Sequence, residues 1–407
     1  MERAPGHVVN VRDAPPWRGR RLVALPDLLL EAHDGGYAIV VNAASGARLK
    51  VSSGLYRILS SFRLPRTLEE AVEEAGDPRI AAGVDALLGR GLLMDADRPM
   101  PMAQPLRRAV PYRFCNAPRW AAPAAGDGFV VLGVPYDLGG PGHCRDAPML
   151  IRQRSLDYAY LLDLDTHRPR GWFDAASGER ILKGVPIADA EDVHVVYGEK
   201  QADTFARMET AMRHALGERS VPLVLGGDRS LCFVMARRLA MRQPLTVLQF
   251  APDTTMAHGE GEVVTVRDVG RRMAALEGIV SCLTLGLRAD AGAAVEAGEI
   301  TVAAARARGL AETVHGAMMA KDVLLAVDVG VLDTSMPPEG NGFSLSEMRD
   351  LIDAVGRRHR IAGIGIFGLD AGGMTGGAVA GELLGIVACH LALYAMHGAS
   401  CAWQGGP

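Results

Sequence analysis

From Gly128 onward the chain repeats one unit: a short, almost continuous apolar run, a loop, then a helical stretch. Six runs carry the pattern: Phe129 to Val134, Val221 to Leu225, Leu245 to Phe250, Cys282 to Leu287, Val323 to Asp328 and Ile361 to Phe367. A strand with one wet face alternates apolar and polar residues. These runs do not alternate, so both of their faces are buried. Such strands separated by helices specify an α/β fold: three layers, with a central mainly parallel sheet between helices. This domain is expected over residues 128–403. Ligands in such folds sit beyond the carboxyl ends of the strands, so the residues that follow each run are where function is sought.

The first hundred residues have a different texture. Residues 1–21 are rich in Pro, Arg and Gly and read as a lead-in. Tyr37-Ala-Ile-Val-Val-Asn42 and the alternating Ala47-Arg-Leu-Lys-Val51 read as a hairpin turning at Ser45-Gly46. Leu55, Ile58, Leu59 and Phe62 recur at helical spacing. Thr67-Leu-Glu-Glu70 is a capping box that opens a second helix. Ile80, Val84, Leu87 and Leu88 predict a third, closed by Gly89-Arg-Gly91. Strands followed by three short helices predict a small winged-helix-like α+β domain over residues 22–97. Residues 98–127 hold six prolines and little periodicity, as a linker or surface strap does.

Bulk properties exclude several classes. Net charge is −4, from 43 basic and 47 acidic residues, and no polybasic block stands out. Neither nucleic acid nor an anionic membrane is expected as the main partner. The six cysteines are scattered, with no Cys-x-x-Cys pair. That is neither a disulfide framework nor a zinc site. The N-terminus lacks a signal-peptide layout, and no uninterrupted apolar run reaches ~18 residues. A cytoplasmic protein is expected.

Five segments at the strand ends carry a family resemblance. They are Gly133-Val-Pro-Tyr-Asp137 with Arg145-Asp-Ala-Pro148 and Ile151-Arg152; Gly226-Gly-Asp-Arg-Ser230; Ala251-Pro-Asp-Thr-Thr255; Leu285-Gly-Leu-Arg288; and Ala326-Val-Asp-Val-Gly-Val-Leu-Asp333. In order and in spacing, over roughly residues 128–395, they resemble the ureohydrolases, the arginase and agmatinase family. The resemblance implies an arginase-like fold and a pocket built from Asp137, Arg145, Arg229, Asp253, His258 and Asp328. It also implies where two manganese ions would sit. The family binds them with two histidines and four aspartates; the matching positions here are Arg229, Ala251, Asp253, Thr255, Asp328 and Gly330. Only Asp328 keeps its identity. The family's late glutamate falls near Gly368.

Two manganese ions need several oxygen and imidazole donors, including bridging carboxylates. Two aspartates do not supply that, and Arg229 adds a permanent positive charge where a cation should bind. No metal and no cofactor are expected, and no catalytic residue is assigned. Arg229 is expected to replace the lost cations by pairing with Asp253 and Asp328. Cys144, beside His143 and Asp137, reads first as a loop cysteine and second as a nucleophile. His258 reads first as structural or solvated. The glycines between Gly363 and Gly381 read as tight packing before they read as an anion cradle.

The small domain resembles the pyrroloquinoline quinone chaperone-like peptide-recognition domains, on the hairpin, the capping box and Ala86-Leu-Leu-Gly-Arg-Gly-Leu-Leu93. Those domains hold a leader peptide as an added strand against a helix. DNA binding is disfavoured because the third helix is mostly Ala, Gly and Leu rather than basic. Together the halves imply a ribosomal peptide natural-product pathway, with a precursor-peptide leader as partner. The chain would act there as an accessory or atypical modifying enzyme. Two alternatives stay open: a peptide arginase converting arginine to ornithine, and a regulatory subunit of an active ureohydrolase. A partner enzyme and a homo-oligomer are further expectations, since this family usually assembles.

Overall fold

A computed structural model describes residues 17–25, 28–33, 35–42, 48–76, 79–97, 106–121, 127–140, 142–196, 198–217, 219–259, 261–288, 297–317, 320–333, 339–370 and 377–404. The chain divides into two compact units, residues 1–105 and 106–407.

The first unit contains β1 (Leu22–Ala24), β2 (Leu28–His33), β3 (Tyr37–Asn42), β4 (Arg48–Ser52), α1 (Ser53–Ser61), α2 (Leu68–Ala75), α3 (Ile80–Gly89) and β5 (Leu93–Asp95). β3 and β4 pair antiparallel from Tyr37↔Ser52 to Val41↔Arg48, which is the expected hairpin; its turn at Ser45-Gly46 lies outside the described residues. β2 joins the free edge of β3, giving the order β2-β3-β4, and β1 pairs with β5. Periodicity missed β1, β2 and β5. Two of the three helices, α1 and α2, start where the sequence supplies a cap. Ser52 Oγ accepts from the Leu55 amide at 3.2 Å, and Thr67 and Glu70 exchange both capping-box bonds. Leu22, Val40, Val51, Phe62, Val84 and Leu87 form the core of this unit.

The second unit contains β6 (Arg107–Arg108), β7 (Gly128–Val134), α4 (Ala147–Arg154), β8 (Trp172–Asp174), β9 (Glu179–Ile181), β10 (Ile187–Val193), α5 (Gln201–Ala215), β11 (Ser220–Gly226) and α6 (Cys232–Ala240). It continues through β12 (Leu245–Phe250), α7 (Val269–Ala274), β13 (Ile279–Leu287), β14 (Glu299–Thr301), α8 (Val302–Arg308), α9 (Leu310–Ala317), β15 (Asp322–Asp328), α10 (Leu345–Arg358), β16 (Arg360–Phe367) and α11 (Gly377–Gln404). Nine strands form one sheet in the order β14-β13-β12-β15-β16-β11-β7-β10-β6. All pairs are parallel except the edge pair of β10 with β6.

All six apolar runs are sheet strands, and burial on two faces explains why they do not alternate. In β7, Phe129 and Val131 join the core under α4, α10 and α11, whereas Val130, Leu132 and Val134 join the core under α5, α6 and α7. Among the described residues one helix segment, Leu383–Trp403 of α11, is long and apolar enough to cross a bilayer, but 61% of its most apolar window is buried. Ala388, Leu391, Ala395 and Ala399 pack it into the domain. It lies close to α10: a Cβ on Gly356 would meet the Gly398 carbonyl at 2.4 Å.

β10 escaped the sequence reading because Ile187-Ala-Asp-Ala-Glu-Asp-Val193 does not look like a buried strand. Its burial depends on Arg152, which is 0% exposed. Arg152 Nε and Nη2 donate to both Asp189 oxygens at 2.8 and 3.0 Å, and Nη1 donates to Asp192. Burial alone would lower the arginine's pKa; the two carboxylates raise it instead. Gly133 faces this cluster, where a Cβ would lie 1.8 Å from Asp192 Oδ1.

Candidate functional site

The parallel order brings the loops after β7, β11, β12, β15 and β16 to one edge of the sheet. The turn after β11 is held tightly. The Gly227 amide donates to the Val134 carbonyl at 3.0 Å, the Asp228 amide to the Tyr136 carbonyl at 3.0 Å, and the Gly368 amide to the Gly227 carbonyl at 2.8 Å. Asp228 is buried. Its carboxylate accepts from the Gly139 amide at 2.8 Å and the Ser230 amide at 2.9 Å. Burial raises its pKa, against the pull of the Ser230 and Gly139 hydrogen bonds.

The same turn aims Arg229 inward, its side chain 5% exposed. Arg229 Nη1 donates to Asp328 Oδ2 at 2.7 Å, and Nε donates to the Val266 carbonyl at 3.1 Å. Nη2 is buried without a partner. The other Asp328 oxygen accepts from the Gly330 amide at 2.9 Å. Gly368 closes the remaining side. It has φ +72°, and a Cβ there would fall 2.0 Å from Asp328 Oδ1. The place of the family's glutamate therefore admits no side chain at all.

Two of the six expected pocket residues lie elsewhere. Asp253 is exposed and makes no pair with Arg229; the Arg229–Asp328 pair forms without it. That corrects the expected three-way cluster. After Pro252 the chain turns so that Thr254 and Thr255, not Asp253, face inward, and both bond Glu299. The Thr255 hydroxyl is taken up by Thr284 at 2.7 Å and Gln249 at 3.3 Å. His258 is exposed on the loop that follows. Asp137 and Arg145 form a separate pair at 3.6 Å, with the arginine 43% exposed, near the mouth of the same edge.

A dimanganese centre does not fit this donor set. Of the six matching positions, Ala251 and Gly330 offer no side-chain donor, Asp253 is exposed, the Thr255 hydroxyl bonds Thr284 and Gln249, and Asp328 is left paired with the Arg229 guanidinium. Among the described residues, no group of three or more His, Cys, Asp or Glu is placed to hold a metal ion.

Cys144 lies near this centre but is not primed as a nucleophile. Burial, then the negative charges of Asp328, Asp228, Asp370 and Asp137, push its thiol up to about 12. It donates to the Gly142 carbonyl at 3.7 Å, while His143 is exposed with φ 75°. Native protein treated with iodoacetamide at neutral pH should leave Cys144 unmodified. Cys401, the one cysteine that is not buried, should label first. Peptide mass mapping checks this, and rapid labelling of Cys144 would restore the nucleophile reading.

The sequence reading missed the cavity beside the Arg152 cluster. About 310 Å³ in volume, it lies at the carboxyl ends of β7 and β10 and is lined by Arg108, Tyr112, Pro135, Arg145, Met149 and Asp192 among others. The one available signal was an arginine in the opening motif, facing an acidic segment that would need a partner. The glycines of β16 do serve packing. A Cβ on Gly363 would meet Leu239 at 2.6 Å, and one on Gly365 the Phe367 ring at 2.3 Å. Residues 371–376 of that glycine-rich stretch lie outside the described residues.

A sequence profile described as the arginase family matches residues 127–370. Solved structures with the same fold include proclavaminate amidino hydrolase from Streptomyces clavuligerus, 20% identical, covering 72% of this chain and 99% of that one, with a TM-score of 0.55. Formimidoylglutamase from Bacillus subtilis is 19% identical over 77% of this chain and 98% of its own, with a TM-score of 0.56. A hypothetical agmatinase from Burkholderia thailandensis is 17% identical over 73% and 93%, with a TM-score of 0.59. No curated protein sequence matches.

Proposed function

The chain belongs to the arginase family, and because an arginine stands among the positions where that family gathers metal donors, we propose that it is a metal-free member working on a peptide. In this reading the first unit holds the leader of a ribosomally made precursor in the cytoplasm. The arginase-like unit acts there as an accessory or atypical modifying component.

One observation carries the peptide half. β2 is an edge strand of the three-stranded sheet. A groove of about 280 Å³ is lined by Leu28 and Leu30 of β2, Val40 of β3, and Tyr56, Leu59 and Arg63 on and just after α1. An edge strand offers free backbone donors and acceptors, and the groove offers pockets for alternate side chains of an extended peptide. Leu30 is 47% exposed, so it is available to a ligand.

Fluorescence polarisation with the labelled leader segment of a short peptide encoded beside this gene tests the reading. Saturable micromolar binding is expected. Leu30→Asp should weaken it by at least about tenfold without lowering Tm, because the side chain is exposed. Absence of saturable binding sinks the peptide reading. A parallel assay with an arginine-containing precursor and Mn2+ should release no urea. Urea release would favour peptide arginine hydrolysis instead.

A further inference from the structure

We infer that Arg229 is a resident cation: its guanidinium takes over the electrostatic and bracing work that bound metal ions do in a carboxylate centre, and it closes that centre to them. The inference rests on the metal-free half of the proposed function and gives it a structural cause.

The argument begins with Asp328. It is the last residue of β15, 9% exposed, and it would be a buried unpaired anion without Nη1 of Arg229 at 2.7 Å. A buried carboxylate needs a cation or several donors. In a metal centre the ions supply that charge. Here one guanidinium and the Gly330 amide supply it, and they occupy both oxygens. Asp228 is satisfied in another way, by two backbone amides. Every oxygen of the two carboxylates therefore already carries a hydrogen bond.

Bracing follows from the same contacts. Arg229 belongs to the turn after β11. Through Nη1 it holds the end of β15, and through Nε it holds Val266, in the segment before α7. The Val266 amide in turn donates to the Gly139 carbonyl at 2.8 Å, and the Gly139 amide donates to Asp228. The Arg229 side chain thereby ties three connections at this edge, and the loop after β7 joins them through Gly139. Repulsion completes the closure. Arginine does not deprotonate, and its unpaired Nη2 is a buried donor that a neighbouring metal ion would face at close range.

The test uses full-length protein and MnCl2 as the probe. Wild type incubated with excess Mn2+ and desalted should retain less than about a tenth of an equivalent by plasma mass spectrometry, and its Tm should not respond to Mn2+. Arg229→Met should lower Tm by roughly 10 °C. Asp328→Asn in that background should recover most of the loss, because the stranded anion is then gone. Arg229→Lys keeps the charge but not the fork; it should melt between wild type and Arg229→Met, still without retaining Mn2+. This variant keeps the test open if Arg229→Met does not fold. An Arg229→Met protein that melts like wild type overturns the resident cation, and an Arg229→Lys protein that does so overturns its bracing by the guanidinium fork. A double variant that melts no higher than Arg229→Met also overturns the resident cation. Near-stoichiometric Mn2+ on the wild type overturns it together with the metal-free reading. Leader binding by the first unit is measured separately, and its failure leaves this inference standing.

Discussion

Replacing Arg152 with methionine should lower the unfolding free energy by about 3–5 kcal/mol, the range seen when one partner of a buried ion pair is removed. The arginine is fully buried and bonded to Asp189 and Asp192. Its loss strands two carboxylates of β10. Asp189 also accepts from the Phe114 and Glu191 amides, so its displacement would disturb the segment before β7 as well as the strand. Methionine fills much of the volume, so the effect reads charge rather than a cavity. The exposed pair Arg20–Asp95 supplies the contrast: with the arginine 47% exposed, Arg20→Met should change stability by less than about 1 kcal/mol. Urea denaturation followed by circular dichroism compares the two. Equal losses would mean that the buried cluster contributes no more than a surface pair.

Gly227→Ala should cost about 1–3 kcal/mol, the usual range for overpacking. A Cβ at this position would lie 1.7 Å from the Tyr136 carbonyl oxygen, and that obstacle is backbone, not a flexible side chain. Room appears only if the loops after β7 and β11 separate. Separation breaks the bonds from Gly227 and Asp228 to β7 and the loop after it. The turn that aims Arg229 would then move, so loss of the Arg229–Asp328 pair should accompany the destabilisation. Gly316→Ala is the control. Gly316 is exposed in α9, and nothing lies within 4 Å of a Cβ there. Alanine should stabilise that helix by roughly 0.5–1 kcal/mol. A Gly227→Ala protein as stable as wild type would show that the turn has slack.

Much of the second unit was legible in its sequence because burial on two faces writes itself as unbroken apolar runs. The six runs are six strands of one sheet, and the residues after them come to one edge of it. In the first unit, Thr67 and Glu70 announced a helix start through a local exchange of two bonds. β10 was not legible. Three of its seven residues are acidic: Asp189 and Asp192 are buried on Arg152, 37 positions before Asp189, and Glu191 pairs with Arg119. Short β1, β5, β6 and β14 were missed because two or three residues carry no period.

The sequence by itself determined the layers of the larger unit, the edge at which its strand-end loops gather, and the arginine in the turn after β11. Each of these is written in residue type and near-neighbour spacing. Only the tertiary structure decided which charge that arginine meets. Asp253 and Asp328 were equal partners on paper. The chain after β12 turns Thr255 inward and Asp253 out, and the end of β15 brings Asp328 to Arg229 across 99 positions. Which buried charges meet depends on where strand ends come to rest, and no local pattern encodes that distance.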